Sequence, residues 1–316
     1  MQFRKLVLMG VAGTLAALTF GPATAQETYP SRPVEFIVPW GPGGGADQLA
    51  RLVGKLLEPS LDQGVPVVNV PGGTGATGMA KLLAAPADGY SMAIYIADSH
   101  ALLAGKDARW TMEDITPAAV MIQAPSFLFV PADSPYETWA DFEAAAKAEP
   151  DQRKVATLGF GSVDDFTLSY LASKGIKVNQ VPFSKPSERY ISILGGHADA
   201  LYEQAGDVAQ LLNSGQIRPL IIFGEERSKL FPDVPSSYEL GYEIALPQFR
   251  AIALRSGTPP ERVKILSDAL AEVAASPDYK KFLGDQYASE DSFLGADQAL
   301  EFVKQQLEDM KSTVQK

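Results

Sequence analysis

Short apolar runs alternate with longer amphipathic stretches along most of this chain. Residues 34–38 read as a strand, because an apolar run with β-branched and aromatic members leads into Pro39 and a glycine cluster. Residues 46–57 follow as a helix. The pair repeats, with a strand at 65–70, a helical stretch at 79–85, and a strand at 91–96 ending in Ala97, Asp98, Ser99 and His100. A second block continues the alternation, with strands at 127–130, 155–158 and 178–181 and helices at 136–148 and 165–173. A further helix runs to Leu194 and stops at Gly195 and Gly196, a C-terminal glycine signal. Segments 198–202, 208–213 and 219–223 complete this block. Residues 251–254 are another strand, and 260–276 and 297–316 are helical.

Such alternation implies an α/β protein with mostly parallel sheets and helices on both faces. Ligands of these sheets sit outside the carboxyl ends of the strands. Three strand-end loops, 40–47, 71–78 and 97–100, therefore converge on one crevice. The first is the most informative. Gly43, Gly44 and Gly45 stand between a strand and a helix, where the first N–H groups lack internal partners and the dipole end is positive. A flexible turn is the plain alternative; the helix start and the second glycine loop favour an anion site. No Lys-Ser/Thr follows the glycines, so this is not a Walker loop, and G-x-G-x-x-G is absent there. Segments 129–135 and 253–259 look alike, each a strand-to-turn passage that would follow a crossing between domains. They are an echo rather than a repeat.

The first residues read as an export leader. Arg4 and Lys5 precede an apolar stretch, 6–20, and Ala23-Thr24-Ala25 supplies a small-residue cleavage pattern, so the mature chain is expected to start at Gln26. The stretch is short of the roughly 20 residues that span a bilayer. About 290 residues then remain, enough for two domains. The formal net charge is −11 and grows two units more negative once Arg4 and Lys5 leave. That argues against nucleic acid and against long-range attraction of an anion, so any anion site must be local. The chain has no cysteine, which excludes disulfides, thiol catalysis, thiolate metal sites and a lipid anchor on cysteine.

Four segments together resemble the Bug-type (TctC-like) solute-binding proteins of tripartite tricarboxylate transporters. They are Tyr29-Pro30-Ser31-Arg32-Pro33 with Ile37 to Gly44 and Asp47; Asn69, Pro71-Gly72, Gly75 and Gly78 followed by Pro86-Ala87-Asp88-Gly89-Tyr90; Gly159 and Gly161-Ser162 with the spacing from Pro182 to Gly195-Gly196; and Phe231-Pro232-Asp233-Val234-Pro235 with Glu239, Gly241 and Gly257-Thr258-Pro259. Each is weak alone, and the four in order are specific over nearly the whole mature chain. The resemblance implies a type II periplasmic binding protein fold, in which two α/β lobes joined by two crossing strands close on a ligand in the interlobe cleft. Expected boundaries are a leader at 1–25, lobe 1 at 26–122 and 246–316, and lobe 2 at 123–245.

It also implies a small carboxylate ligand, held by the loops after the first two strands largely through backbone N–H groups and bound waters. Those loops map to 40–45 and 72–75, and the other lobe would offer Gly161, Ser162 and the turn 183–185. The candidate ligand contacts of lobe 1 are thus Trp40, Gly43, Gly44, Gly45, Asp47, Gly73, Thr74, Gly75 and Ser99. Those of lobe 2 are Gly161, Ser162, Asp164, Phe183, Ser184, Lys185 and Tyr202. Several have plainer readings. Asp47 complements the helix dipole or accepts from the ligand. Trp40 packs between lobes or covers the ligand body. Asp164 and Asp165 cap a helix or meet a donor on the ligand. Tyr202 and Glu203 end a strand expected to face the cleft. Lys185 and Arg189 read as solvated cations unless one faces the cleft, where it would suit a second carboxylate. His100 and His197 lack a metal-ligand pattern.

This chain departs from the family pattern at positions that cluster in the second lobe, the one the resemblance implies contacts the distal end of the ligand. Asp165 stands where a histidine is usual, Lys185 where a glycine is common, Arg189 where a small residue is usual, and Phe249 in place of a tryptophan. The expected function is capture of a small organic acid, first a dicarboxylate, in the periplasm by a monomer that delivers it to integral-membrane transporter subunits. No cofactor, metal, nucleic acid or catalysis is expected. A ligand-presenting sensor for a two-component system, or an exported enzyme acting on a carboxylated substrate, are the alternatives.

Overall fold

Alternation along each strand decides which helices cover it. In the first strand, β1 (Glu35–Val38), Phe36 and Val38 are fully buried on one face and Ile37 on the other. The computed structural model describes residues 28–105 and 108–314. The expected leader, its cleavage site after Ala25 and the basic Arg4 and Lys5 lie outside the described residues.

β1 is followed by α1 (Gly45–Leu61), β2 (Val67–Asn69), α2 (Ala76–Ala84), β3 (Ser91–Ile96) and a short α3 (Ala97–Ala101). β4 (Ile115–Ala124) runs almost directly into β5 (Ser126–Pro131). Then come α4 (Trp139–Ala148), β6 (Lys154–Thr157), α5 (Val163–Ser173), β7 (Asn179–Pro182), α6 (Pro186–Ser192), β8 (Ala200–Glu203), α7 (Ala209–Asn213) and β9 (Ile217–Phe223). The chain returns through β10 (Gln248–Arg255), α8 (Pro260–Ala275), α9 (Pro277–Asp285), β11 (Leu294–Gly295) and α10 (Ala296–Val314).

Two sheets result, one per lobe, ordered β11-β4-β10-β3-β1-β2 and β7-β6-β8-β5-β9. Each has three parallel strands in the order second, first, third. Beside the third lies an antiparallel strand that has just crossed from the other half of the chain: β10 against β3, and β5 against β8. The sequence echo between 129–135 and 253–259 has this cause, since both segments begin at the far ends of these two crossing strands.

On one face of the first sheet Phe36, Val38, Ile94 and Ile252 pack with Leu49, Val53 and Leu57 of α1 and Leu266 and Leu270 of α8. On the other, Ile37, Tyr95 and Phe249 join Val303 and Met310 of α10. That second cluster continues into the other lobe through Leu168 and Tyr202, so α10 links the two cores. Among the described residues no helix is long and apolar enough to cross a membrane.

The sequence pattern leaves β4 unassigned. Pro117 sits inside it, and proline argues against a central strand. The pairing with β10 shifts register between Ile252 and Ala253, beside the Ala253–Pro117 pair, and such an irregularity accommodates the missing N–H. Helix α1 extends past 57 to Leu61, with Pro59 inside its last turn. Residues 97–101 form a helical turn rather than a loop.

α2 lies close against the end of β1 because Gly78 has no side chain. A methyl there would come within 2.5 Å of the Pro39 Cα, whereas at Gly64 it would meet nothing within 4 Å. Gly78→Ala is therefore expected to destabilise the fold by about 1–3 kcal/mol. Gly64→Ala serves as the near-neutral control in urea denaturation, and equal midpoints for the two would contradict this packing.

Candidate functional site

The carboxyl ends of the parallel strands in both sheets point at one seam. From the first lobe, Trp40, Gly44, Gly45, Ala46, Ile96, Asp98, Gln248 and Arg250 line a small chamber there. From the second come Leu158, Pro186, Arg189, Tyr190, Glu203, Gln204 and Asp207. The chamber is narrow, about 30 Å³. Tyr190 and Asp207 also border a wider groove of about 510 Å³ at its mouth, with Gly43 and Gln48 on one side and Ile191 and Gln286 among the others.

The N-terminus of α1 forms one wall. Gln48 N–H is the first to bond back, onto the Gly44 carbonyl, so the N–H groups of Gly45, Ala46 and Asp47 have no intrahelical acceptor. The Trp40 ring is buried and its Nε1 has no partner. The helix end can approach the other lobe only because it begins with glycine. A methyl on Gly44 would come 2.7 Å from Pro186 Cγ, and one on Gly45 would collide with the Asp207–Arg250 pair.

Charged groups form the opposite wall. Arg250 Nη2 donates to both Asp207 oxygens, at 2.7 and 2.6 Å, across the seam. Arg189 is 3% exposed and is ion-paired with Glu203, which is 2% exposed. Its Nε and Nη1 are buried without a hydrogen-bond partner. Asp98 accepts from Val163 N–H at 3.1 Å, joining the first lobe to the start of α5, and from Gln248 Nε2 at 3.0 Å. Asp164 accepts from Leu158 N–H at 2.8 Å.

Burial pushes the Asp98 carboxyl up to about 6, against the pull of Arg189. Burial likewise pushes Glu203 up to about 7, again opposed by Arg189. Asp164 is raised well above the usual carboxylate range, by burial and then by the nearby Asp98. The cluster is thus rich in acids that resist full ionisation.

The candidate residues divide into those that line the chamber and those held elsewhere. Trp40, Gly44 and Gly45 line the chamber, and Gly43 sits at its mouth with φ +87° and its N–H donated to Asp47 Oδ2 at 3.0 Å. Asp47 is buried and also accepts from Arg51 Nε at 3.0 Å and Asn69 Nδ2 at 2.9 Å, which gives it a loop-holding role in place of a ligand-facing one. Gly75 is buried, and Ser99 Oγ donates to the Thr74 carbonyl at 3.3 Å, while Gly73 is exposed. Ser162 caps α5, accepting from Asp165 N–H and donating to the Gly159 carbonyl at 2.6 Å. Gly161 N–H is donated to Asp165 Oδ2 at 2.8 Å.

Several expectations are corrected. Tyr202 faces away from the cleft: the two-residue strand period turns it toward α5, where its hydroxyl meets Thr167 at 3.0 Å and its ring stacks on Phe223. Glu203 takes the cleft-facing position beside it. Asp164 does not cap its own helix, since its carboxylate reaches back to the Leu158 N–H. Ser184 and Lys185 are exposed, and Lys185 pairs with Glu188 at 2.7 Å. Phe183 packs on the core of the second lobe. Arg189, not Lys185, is the cation that turns inward. The composition at 186–192 hid this, because Arg and Glu on a short helix look solvated until Glu203 is brought opposite. His100 lies in the core with Nδ1 2.7 Å from the Tyr95 hydroxyl, and burial holds it down at about 4; His197 is exposed. Phe249 packs in the same aromatic group as His100 and Tyr95. Among the described residues no cluster of His, Asp or Glu suited to a metal is found.

Comparison with known proteins gives a consistent result. A family model described as the tripartite tricarboxylate transporter family receptor, TctC, matches residues 49–316. The protein BugT of Bordetella pertussis is 30% identical over 281 residues, 86% of this chain and 85% of that protein. A TctC solute-binding protein from Polaromonas, solved without ligand, is 30% identical with a TM-score of 0.67, covering 91% of this chain and 99% of that one. MatC from Rhodopseudomonas palustris, solved with bound malate, is 23% identical with a TM-score of 0.82, covering 90% and 100%. The family is thus described as a transporter receptor, and the Polaromonas relative as a solute-binding protein.

Burial alone would raise the Asp47 carboxyl, but hydrogen bonds from Arg51, Gly43 and Asn69 outweigh it and hold the group below 3.8. A depressed carboxylate contributes stability above its unfolded value, and that contribution disappears as pH falls through the folded value. Asp47→Asn should therefore cost about 1–3 kcal/mol at neutral pH. The gap should narrow in urea titrations at about pH 3, below the ordinary carboxylate range. A gap unchanged with pH would show that the charge of Asp47 does not hold the loop.

Proposed function

The chain belongs to the tripartite tricarboxylate transporter receptor family, and from that premise we propose that it is an exported, periplasmic protein that captures a small organic acid and delivers it to the membrane subunits of such a transporter. The observation that carries this reading is the seam chamber, lined by the α1 start with its free N–H groups and by Trp40, whose buried Nε1 has no partner. Only an acceptor satisfies such a wall, and an anionic acceptor satisfies the helix dipole as well. MatC, which shares the fold, was solved with malate, an acid of the size and charge the reading requires.

One carboxylate sits against Gly44, Gly45 and Ala46, with Trp40 beside it. Each charge-assisted hydrogen bond contributes roughly 1.5–3 kcal/mol, so three or four approach the ~8 kcal/mol of a micromolar complex before ordering costs. A chamber of about 30 Å³ holds little more than a water molecule, so the lobes part to admit the acid and close over it. The closed, loaded form is then the form the membrane partner meets. A dicarboxylate is the first candidate, since a second acceptor group would reach the other lobe.

A thermal-shift screen of mono-, di- and tricarboxylates tests the reading. A ligand at a hundred times its Kd adds about 2.7 kcal/mol, a shift of roughly 5–10 °C for a protein of this size. Gly44→Asp puts a negative side chain into the wall and should abolish the shift. Gly44→Ala, which adds bulk without charge, should reduce it less. An unchanged shift in Gly44→Asp would contradict the assignment of this loop.

A further inference from the structure

Arg189 carries more hydrogen-bonding capacity into the seam than the protein itself uses. A guanidinium presents five N–H donors in a fixed fork. Here one amine is committed to Glu203, while Nε and Nη1 are buried without partners in a side chain that is 3% exposed. A donor left unsatisfied in a buried site costs free energy, and a charged donor costs more. Arg189 also lines the same chamber as Gly44, Gly45 and Trp40, and it comes from the other lobe. The residues that carry these two sets of unpartnered donors thus flank one space, one set on each lobe.

The charges around Arg189 set a condition on what it takes. Glu203 of β8 is its ion-pair partner, and Asp164 of α5, Asp98 of α3 and the neighbouring Tyr190 also face it. Glu203 in turn feels Asp207 and Arg250, which are engaged with each other. Four carboxyl groups therefore stand near two guanidiniums, and Arg250 is engaged through Nη2 with both oxygens of Asp207. Another carboxylate entering beside Arg189 meets this acidic surplus unless one of the acids is neutralised.

Resting on the carboxylate reading above, we propose that Arg189 takes the second carboxylate of a dicarboxylate through Nε and Nη1, and that one proton enters the Glu203–Asp164–Asp98 cluster with it. The first carboxylate stays at the α1 start. Arg189 thereby selects dicarboxylates over monocarboxylates of the same length. The proton restores the charge balance that the second carboxylate disturbs, and it travels with the ligand into the closed protein. The raised values of Glu203 and Asp98 place such an uptake near neutral pH.

The test is isothermal titration of three matched pairs: succinate with butyrate, malate with 3-hydroxybutyrate, and adipate with hexanoate. Titrations at about pH 7.5, where all six acids are ionised, are run in phosphate and in Tris. Those buffers differ in heat of ionisation, so the difference in binding heat counts protons. At least one dicarboxylate should bind about 10- to 100-fold tighter than its partner and should take up close to one proton, while monocarboxylates take up none. Glu203→Gln removes one proton acceptor and should keep the preference while lowering the uptake. The double variant Arg189→Gln with Glu203→Gln replaces the ion pair by a neutral hydrogen-bonding pair and should lose the preference. Paired acids that bind equally, a dicarboxylate that binds without proton uptake, or a preference that survives the double variant would each overturn the proposal while leaving the α1 carboxylate site standing. No binding by any of the six overturns the carboxylate reading itself, and the role of Arg189 with it.

Discussion

The approach of one helix end to the opposite lobe is the constraint on which the rest of the structure depends. Helix α1 begins against the second lobe with no side chain between them, because positions 44 and 45 are glycine. A single methyl at either would strike Pro186 or the Asp207–Arg250 pair. That closeness is what turns an exposed helix start into the wall of a shared chamber. A helix end facing bulk water binds anions weakly, since water competes for its N–H groups and screens its dipole. Enclosed by a second surface, the same groups interact in a lower dielectric and gain accordingly.

The opposite wall follows a different physical rule. Two guanidiniums and several carboxyls are buried together, and burying charge is costly unless partners are close and well aligned. Arg250 meets that demand through Nη2, which donates to both Asp207 oxygens across the seam. Asp98 meets it by accepting from the first N–H group of α5, one lobe satisfying an orphan donor of the other. Arg189 meets it only in part. These cross-lobe interactions make closure specific in geometry, because each needs both halves in register. α10 adds to this from behind, since its apolar face belongs to a core that runs from Tyr95 in one lobe to Tyr202 in the other.

Most of the architecture was legible from the alternation of strand and helix, and the first wall of the site from glycine placement alone. Local sequence carries both kinds of information: hydrophobic period names the element, and glycine at a strand-to-helix turn names the free N–H groups. β4 was not legible, because Pro117 contradicts a strand locally and only its partner strand reveals the irregularity that tolerates it. The second wall was harder for a related reason. Arg189 is flanked by Glu188 and Tyr190, and nothing nearby marks it as buried. Its environment is made by Glu203, Asp164 and Asp98, three residues from three other elements. Tyr202 misled for the opposite reason, since a strand end near a cleft sends alternate side chains to opposite faces and the register was one residue out.

The two walls therefore divide the work of recognition unequally. The α1 wall is built of backbone N–H groups, which would hold the carboxylate of the proposed function whatever the rest of the acid is. Such a wall would supply affinity for the class and little discrimination within it. The second wall is built of side chains, whose identity can change without disturbing the fold. The second lobe also holds three of the four positions, 165, 185 and 189, at which the sequence resemblance implies a departure from the family pattern; Phe249 is the fourth and lies in the first lobe's sheet. Two of those departures are absorbed locally: Asp165 accepts from Gly161 and Gln180, and Lys185 pairs with Glu188 at the surface. Only Arg189 reaches the chamber. Its charge is met directly by Glu203 and from farther off by Asp164 and Asp98, so the buried cation is held by a cluster drawn from three other elements rather than by one partner. A change at position 189 therefore acts on that whole cluster, while the glycine start of α1 stays as it is.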